Sequence, residues 1–184
     1  MPQSNSPILI QYYKTKYAEF ILGAYEGELC MLDYRYRKSR DAVDARLQRL
    51  LKADYLVVEE GSAEVPVFEQ TKAQLNEYFL GERSEFDIPL LLVGSEFQQG
   101  VWRALLEVPY GETASYLDLS KRLNNEKAIR AVASANGANA ISIIVPCHRI
   151  IGSNGELTGY AGGLPLKKRL LDLENAKFVQ ETLF

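Results

Sequence analysis

The stretch SEFQQGVWRALLEVPYGETASYLDLSKRLNNEKAIRAVASANG, residues 95–137, decides how the second half of the chain folds. Ser95, followed three residues later by Gln98, is a capping box, in which each side chain takes up the other residue's backbone N–H. Phe97, Val101, Ala104, Leu105 and Val108 then recur at helical spacing, and Pro109-Tyr110-Gly111 closes the helix. Ser115 and Asp118 repeat the cap signal ahead of a short helix through Leu119 and Leu123. A third helix is predicted over about 126–136, EKAIRAVASAN, ended by Asn136-Gly137. Two short helices joined by a tight turn after a longer one have the layout of a helix-turn-helix unit.

Upstream the periodicity changes. ILIQYY (8–13), AEFILGAYE (18–26) and LCMLDY (29–34) are aliphatic and aromatic, and Gly27 divides the last two, which predicts antiparallel hairpins. SRDAVDARLQRLLKAD (39–54) places Val43, Leu47, Leu50 and Leu51 at helical spacing after a Ser39 cap. A second helix is predicted over about 71–80, with Leu75, Tyr78 and Phe79 on one side and Gly81 as terminator. FDIPLLLVG (86–94) has a proline and no helical period, and is expected to be an extended link. The fold class expected is α+β. An N-terminal α/β domain with a small antiparallel sheet, residues 1–88, precedes a mainly helical, winged-helix-like domain, residues 89–184.

With 47% hydrophobic and 24% charged residues, the composition is that of an ordinary globular protein. No apolar run approaches the roughly 18 residues of a membrane span. The N-terminal sequence lacks the basic-then-apolar pattern of a secretory signal. Two cysteines, Cys30 and Cys147, fit a reducing cytoplasm better than a disulfide scaffold. With one histidine beside them, they fall short of the four ligands of a structural zinc site. Residues 89–184 carry 10 basic against 9 acidic side chains, so phosphate binding there must come from a few placed groups rather than a broad basic field.

IVPCHRII (144–151) holds the only histidine, directly after Cys147 and inside an apolar run. A thiol reacts as thiolate, and an apolar surround opposes ionisation, so reactivity there requires a base or a cation. His148 can supply the base through a turn or a bridging water if a carboxylate orients it, and Glu156, Asp172, Glu174 and Glu181 are the downstream candidates. The competing reading is a buried structural thiol beside a satisfied histidine. The third helix is equally open. Ala128, Ala131, Ala133, Ser134, Ala135, Gly137 and Ala138 surround a single Arg130. Such a surface either packs on neighbouring helices or lets a backbone approach something narrow, with one long side chain suited to insertion into a base stack.

PCHR, followed by GELTGYAGGLPLKKRLLDLE and preceded by FQQGVWRALLEVPYGETASY and RAVASANGAN, resembles the O6-alkylguanine-DNA alkyltransferase family over about residues 95–174. The resemblance implies a single-use transferase. Cys147 would be nucleophile and alkyl acceptor, His148 the imidazole that removes the thiol proton through a water, and Glu174 the carboxylate that holds it. Arg130 would fill the gap left by a flipped base, Tyr116 would crowd the 3′ phosphate, and Ala131 and Ala135 would line the face entering the minor groove. Asn139 would brace the turns around the site, and the Tyr160 hydroxyl would donate to guanine N3. The Ala161 N–H would bind O6, Gly162 and Gly163 would keep that loop close to the ligand, and the carbonyls of Cys147 and Ile150 would accept from the exocyclic amine. Arg149 is expected to form a structural ion pair.

The implied partner is double-stranded DNA containing O6-alkylguanine, and O4-alkylthymine is expected as a second substrate. No cofactor, metal or membrane is implied, and the protein is expected to be a monomer in the cytoplasm. Many members have Asn-Pro where this chain has Asn139-Ala140, so methyl transfer with weaker reaction toward O6-benzylguanine is expected. The alternatives are a non-catalytic lesion sensor, against which Cys147 argues, a winged-helix regulator, which would present a richer recognition helix, and a cysteine hydrolase, which would need an oxyanion hole and turnover.

Overall fold

The computed structural model describes residues 6–176. The chain forms two compact units, Met1–Gly94 and Ser95–Phe184.

The N-terminal unit is built on β1 (Ile8–Lys14), β2 (Glu19–Tyr25), β3 (Glu28–Tyr34) and β4 (Tyr55–Val57), in the order β3-β2-β1-β4. The first three strands are antiparallel neighbours. Glu26 and Gly27 both take positive φ, 49° and 87°, the backbone of a two-residue hairpin whose twist matches its strands. β4 was not anticipated from the sequence, and it pairs parallel with β1, so the sheet is mixed rather than wholly antiparallel. Between β3 and β4 lies α1 (Arg40–Leu51), which buries Val43 and Leu47. Ser39 precedes it, but its side chain makes no capping hydrogen bond, so that expectation is corrected.

α2 (Pro66–Phe79) begins one and a half turns before the predicted start, because Pro66 occupies the first turn, where a missing N–H costs nothing. Residues 86–94 are extended as expected, yet they belong to the sheet's edge. Leu29 N donates to Pro89 O at 2.8 Å and Leu91 N to Leu29 O at 2.9 Å.

In the C-terminal unit both capping boxes form, at Ser95/Gln98 and Ser115/Asp118. α3 (Glu96–Leu106) buries Val101, Trp102, Ala104 and Leu105. Phe97, placed on this face by spacing, is 39% exposed, and Trp102 fills the core instead, with its indole N–H donating to Ala135 O at 2.8 Å. A two-residue strand, β5 (Ala114–Ser115), leads into α4 (Tyr116–Arg122). The predicted third helix divides into a 3-10 turn (Glu126–Ala128) and α5 (Ile129–Gly137). A second 3-10 turn, Cys147–Arg149, runs into β6 (Ile150–Ile151), which pairs parallel with β5, and α6 (Leu164–Leu173) closes the unit. No helix among the described residues is long and apolar enough to cross a membrane.

Candidate active site

Between α5 and the 3-10 turn the chain reverses twice in unusual ways. Ile144 N donates to Ser142 O at 2.8 Å around Ile143, whose φ is 71°. That is a positive-φ γ-turn on a β-branched residue, a conformation that costs on the order of 1–3 kcal/mol. Cys147 N then donates to Val145 O at 2.8 Å around Pro146, whose φ of −83° and ψ of 61° make an inverse γ-turn.

Asn139 holds both reversals. Its Oδ1 accepts from Ile141 N at 2.9 Å, which fixes the orientation of the amide. Its Nδ2 faces Val145 O at 2.9 Å, Ile141 O at 3.3 Å and Cys147 Sγ at 3.2 Å. Two amide hydrogens are thus shared among three acceptors, and a thiolate would draw one of them most strongly.

The 3-10 turn answers the geometric difficulty of neighbouring Cys147 and His148. On an extended strand they would point oppositely, whereas successive side chains on a 3-10 turn are about 120° apart. His148 is fully buried, and its Nε2 lies 2.8 Å from Glu174 Oε1. Burial, outweighed by the hydrogen bonds and charges of His148 and Arg149, leaves the Glu174 carboxyl at about 2. As an ionised acceptor, Glu174 requires the imidazole proton on Nε2. Nδ1 is then the basic nitrogen, and it has no hydrogen-bond partner among the described residues. Burial depresses the His148 pKa despite the opposing pull of Glu174, so the ring is neutral at neutral pH. Arg149 makes the expected ion pair. Its Nε and Nη2 donate to Glu174 at 2.9 and 3.0 Å, and Nη1 donates to Val108 O at 2.7 Å.

The other candidate carboxylates are elsewhere. Glu156 is exposed, Asp172 pairs with Lys168 at 2.7 Å on the surface, and Glu181 lies outside the described residues. Gly111 leaves room for the Glu174 main chain. At a φ of 78°, an added Cβ would stand 3.0 Å from the Glu174 carbonyl.

Tyr160 packs edge-on to His148 at 6.4 Å between ring centroids, on the half-buried loop that includes Ala161 and Gly162. The Cys147 carbonyl accepts from Ile150 N, and the Ile150 carbonyl accepts from Lys167 Nζ. Lys167 is a fully buried residue that the sequence reading passed over. Its place between Leu166 and Leu170 on the apolar stripe of α6 was the available signal.

On α5, Arg130, Ala131 and Ser134 are exposed. Ala135 is not. It is 3% exposed and faces α3, so its assignment to the DNA-facing surface is corrected. The alanines therefore divide between packing and surface, and Arg130 is an exposed long side chain in the first turn of α5.

A buried cysteine thus stands beside a carboxylate-held imidazole, in a helical unit whose α5 exposes small side chains. Residues 96–176 match the model of the 6-O-methylguanine DNA methyltransferase DNA binding domain, and residues 8–92 that of the ribonuclease-like domain of the same proteins. A methylated-DNA–protein-cysteine methyltransferase of Methanosarcina acetivorans is 54% identical over 109 residues, covering 59% of this chain and 70% of its own. Its namesake in Mycolicibacterium paratuberculosis is 51% identical over 136 residues, 73% of this chain and 82% of its own. The crystal structure of Mycobacterium tuberculosis OGT in complex with DNA superposes with a TM-score of 0.75 at 38% identity, covering 91% of this chain and 93% of that one. The chain belongs to the 6-O-methylguanine DNA methyltransferase family.

Proposed function

We propose that this protein repairs alkylated duplex DNA by moving the alkyl group from guanine O6 to Cys147, once per molecule. The observation that carries the reading is the buried Asn139–Cys147 and His148–Glu174–Arg149 constellation, which sets an amide donor on the sulfur and an ionised carboxylate on the adjacent imidazole. His148 Nδ1 takes the Cys147 proton through a water, and Glu174 stabilises the imidazolium that forms. The sulfur attacks the alkyl carbon, the carbon–O6 bond breaks, and its electron pair stays with the purine. The Tyr160 hydroxyl passes its proton to guanine N3 as that charge develops, so the base leaves neutral, and the proton taken up by His148 restores the tyrosine through solvent. The thioether formed is not reversed by thiols or ordinary reductants, so the protein is consumed.

With Cys147 only 4% exposed, the base must leave the stack to reach it. Arg130, projecting from the exposed face of α5, occupies the gap, and Tyr116, at the start of α4, meets the adjacent phosphate. The small side chains around Arg130 suit a minor groove, where approach rather than base reading matters. The test is the mass of the intact protein and of the Cys147 peptide after mixing with duplex DNA containing O6-methylguanine. One methyl group on that peptide is the expected result, and tight binding with no mass change would make the protein a lesion sensor.

A further inference from the structure

Thr158 lies on the loop between β6 and α6, two residues before Tyr160, and is held from two sides. Its carbonyl accepts from Lys167 Nζ at 2.8 Å, and the same ammonium donates to the Ile150 carbonyl. Its hydroxyl lies 3.2 Å from the Tyr116 hydroxyl. Tyr116 directly follows β5, whose Ala114 and Ser115 pair with Ile150 and Ile151. One end of Tyr116 is therefore set by the strand after Cys147 and the other by Thr158.

The two anchors differ in kind. A buried ammonium tied to two carbonyls resists movement of either, because displacement strands a charge in an apolar interior. Burial pushes the Lys167 pKa down, against the pull of a Cys147 charge, to about 8, which still leaves it charged at neutral pH. The main chain at Thr158 is thereby clamped to β6, and its hydroxyl stands at a fixed place beside Tyr116. Between two hydroxyls either can donate. With Thr158 donating to Tyr116, the tyrosine proton is directed outward, and the donated bond polarises it toward an anionic acceptor.

We propose that Thr158 is a positioning residue that sets the Tyr116 hydroxyl in register with the Tyr160 loop, so that phosphate contact and reception of the flipped base are coupled. This rests on the function proposed above. Neither the activation of Cys147 nor the packing of the unit requires the Thr158 hydroxyl, which is half-buried on a loop.

The experiment compares Thr158→Val, which keeps the shape and removes the hydroxyl, with Thr158→Ser, which keeps the hydroxyl. Single-turnover methyl transfer to Cys147 is measured from O6-methylguanine in a duplex oligonucleotide and from the free base, which needs neither phosphate contact nor flipping. Thr158→Val is expected to slow duplex transfer about fivefold, the worth of one neutral hydrogen bond, with little change on the free base. Thr158→Ser is expected to match the wild type, and Thr158→Ala to behave like valine should the valine variant fold poorly. In a Tyr116→Phe background, Thr158→Val should add no further slowing, since its partner hydroxyl is already gone. Equal slowing on both substrates, equal slowing in the Phe background, or no slowing on duplex DNA overturns the proposal. A wild-type protein that methylates from neither substrate overturns the function itself, and so is distinguishable.

Discussion

Cys30 and Cys147 are both buried, at 1% and 4% exposure, in opposite surroundings. Cys30 sits mid-strand in β3 between Leu29 and Met31, where burial pushes its thiol up to about 12 and keeps it protonated. Cys147 opens a 3-10 turn, carries the Asn139 amide on its sulfur, and adjoins an imidazole oriented by an ionised carboxylate. A Cys147 thiolate and the Lys167 cation also attract one another. Burial by itself disarms a thiol. The proposed function requires that a directed donor, a cation and an oriented base offset that burial at Cys147.

The largest effect expected separates the two residues outright. Cys147→Ala should accept no methyl group from duplex O6-methylguanine, while Cys30→Ala should accept one, on the Cys147 peptide. A methyl group found on Cys30 by peptide mass would break the contrast. Next comes Glu174→Gln, which removes the anion that fixes the His148 tautomer and faces Arg149. Single-turnover transfer should fall on the order of 10²-fold, the usual worth of general-base assistance. Urea unfolding should show a loss of about 3 kcal/mol, because Arg149 is left buried without its counter-charge.

The pH dependence sharpens the same point. His148 is held below its ordinary value by burial, and Glu174 sits at about 2 through its hydrogen bonds. For both groups the unfolded chain binds protons more readily, so stability falls with acid. The histidine contribution is complete above roughly pH 6.5 and declines below it, and the glutamate contribution is lost from roughly pH 4.5 downward. Transfer should fall in the same direction, since protonated His148 cannot accept the thiol proton. A transfer rate that rises on acidification would remove His148 as the base. The smallest effect expected is at Cys30→Ser, where a hydroxyl replaces a thiol in an apolar strand. A loss of about 1–2 kcal/mol on thermal or urea unfolding is expected, with the transfer rate unchanged.

Much of the fold was legible because its signals are local. Ser95/Gln98 and Ser115/Asp118 announce helices through contacts three residues apart, and Glu26-Gly27 announces a hairpin through its own backbone. What escaped was decided at a distance. β4 is three residues long and exists because β1 offers it a parallel partner more than forty residues upstream. Phe97 has the right spacing for the core, yet the first turn of α3 leaves it exposed while Trp102 reaches Ala135. Ala135 looked like part of a uniform alanine face until α3 claimed one side of it. Lys167 looked like one of several basic residues in LPLKKR, but its position on the buried stripe of α6 made it a clamp.

The candidate site divides along the same line. By itself the sequence determined the chemistry present: one thiol next to one imidazole, a helix carrying a single long side chain, and a tyrosine before Gly-Gly. Residue by residue it left four carboxylates open for the imidazole, the family resemblance pointed to Glu174, and only the tertiary structure shows the contact. It leaves Glu156 in solvent, gives Asp172 to Lys168, and brings Glu174 within 2.8 Å of His148 across 26 residues of chain. The physical reason is that residue type is a property of one position, whereas ionisation and hydrogen bonding depend on neighbours that packing alone brings together.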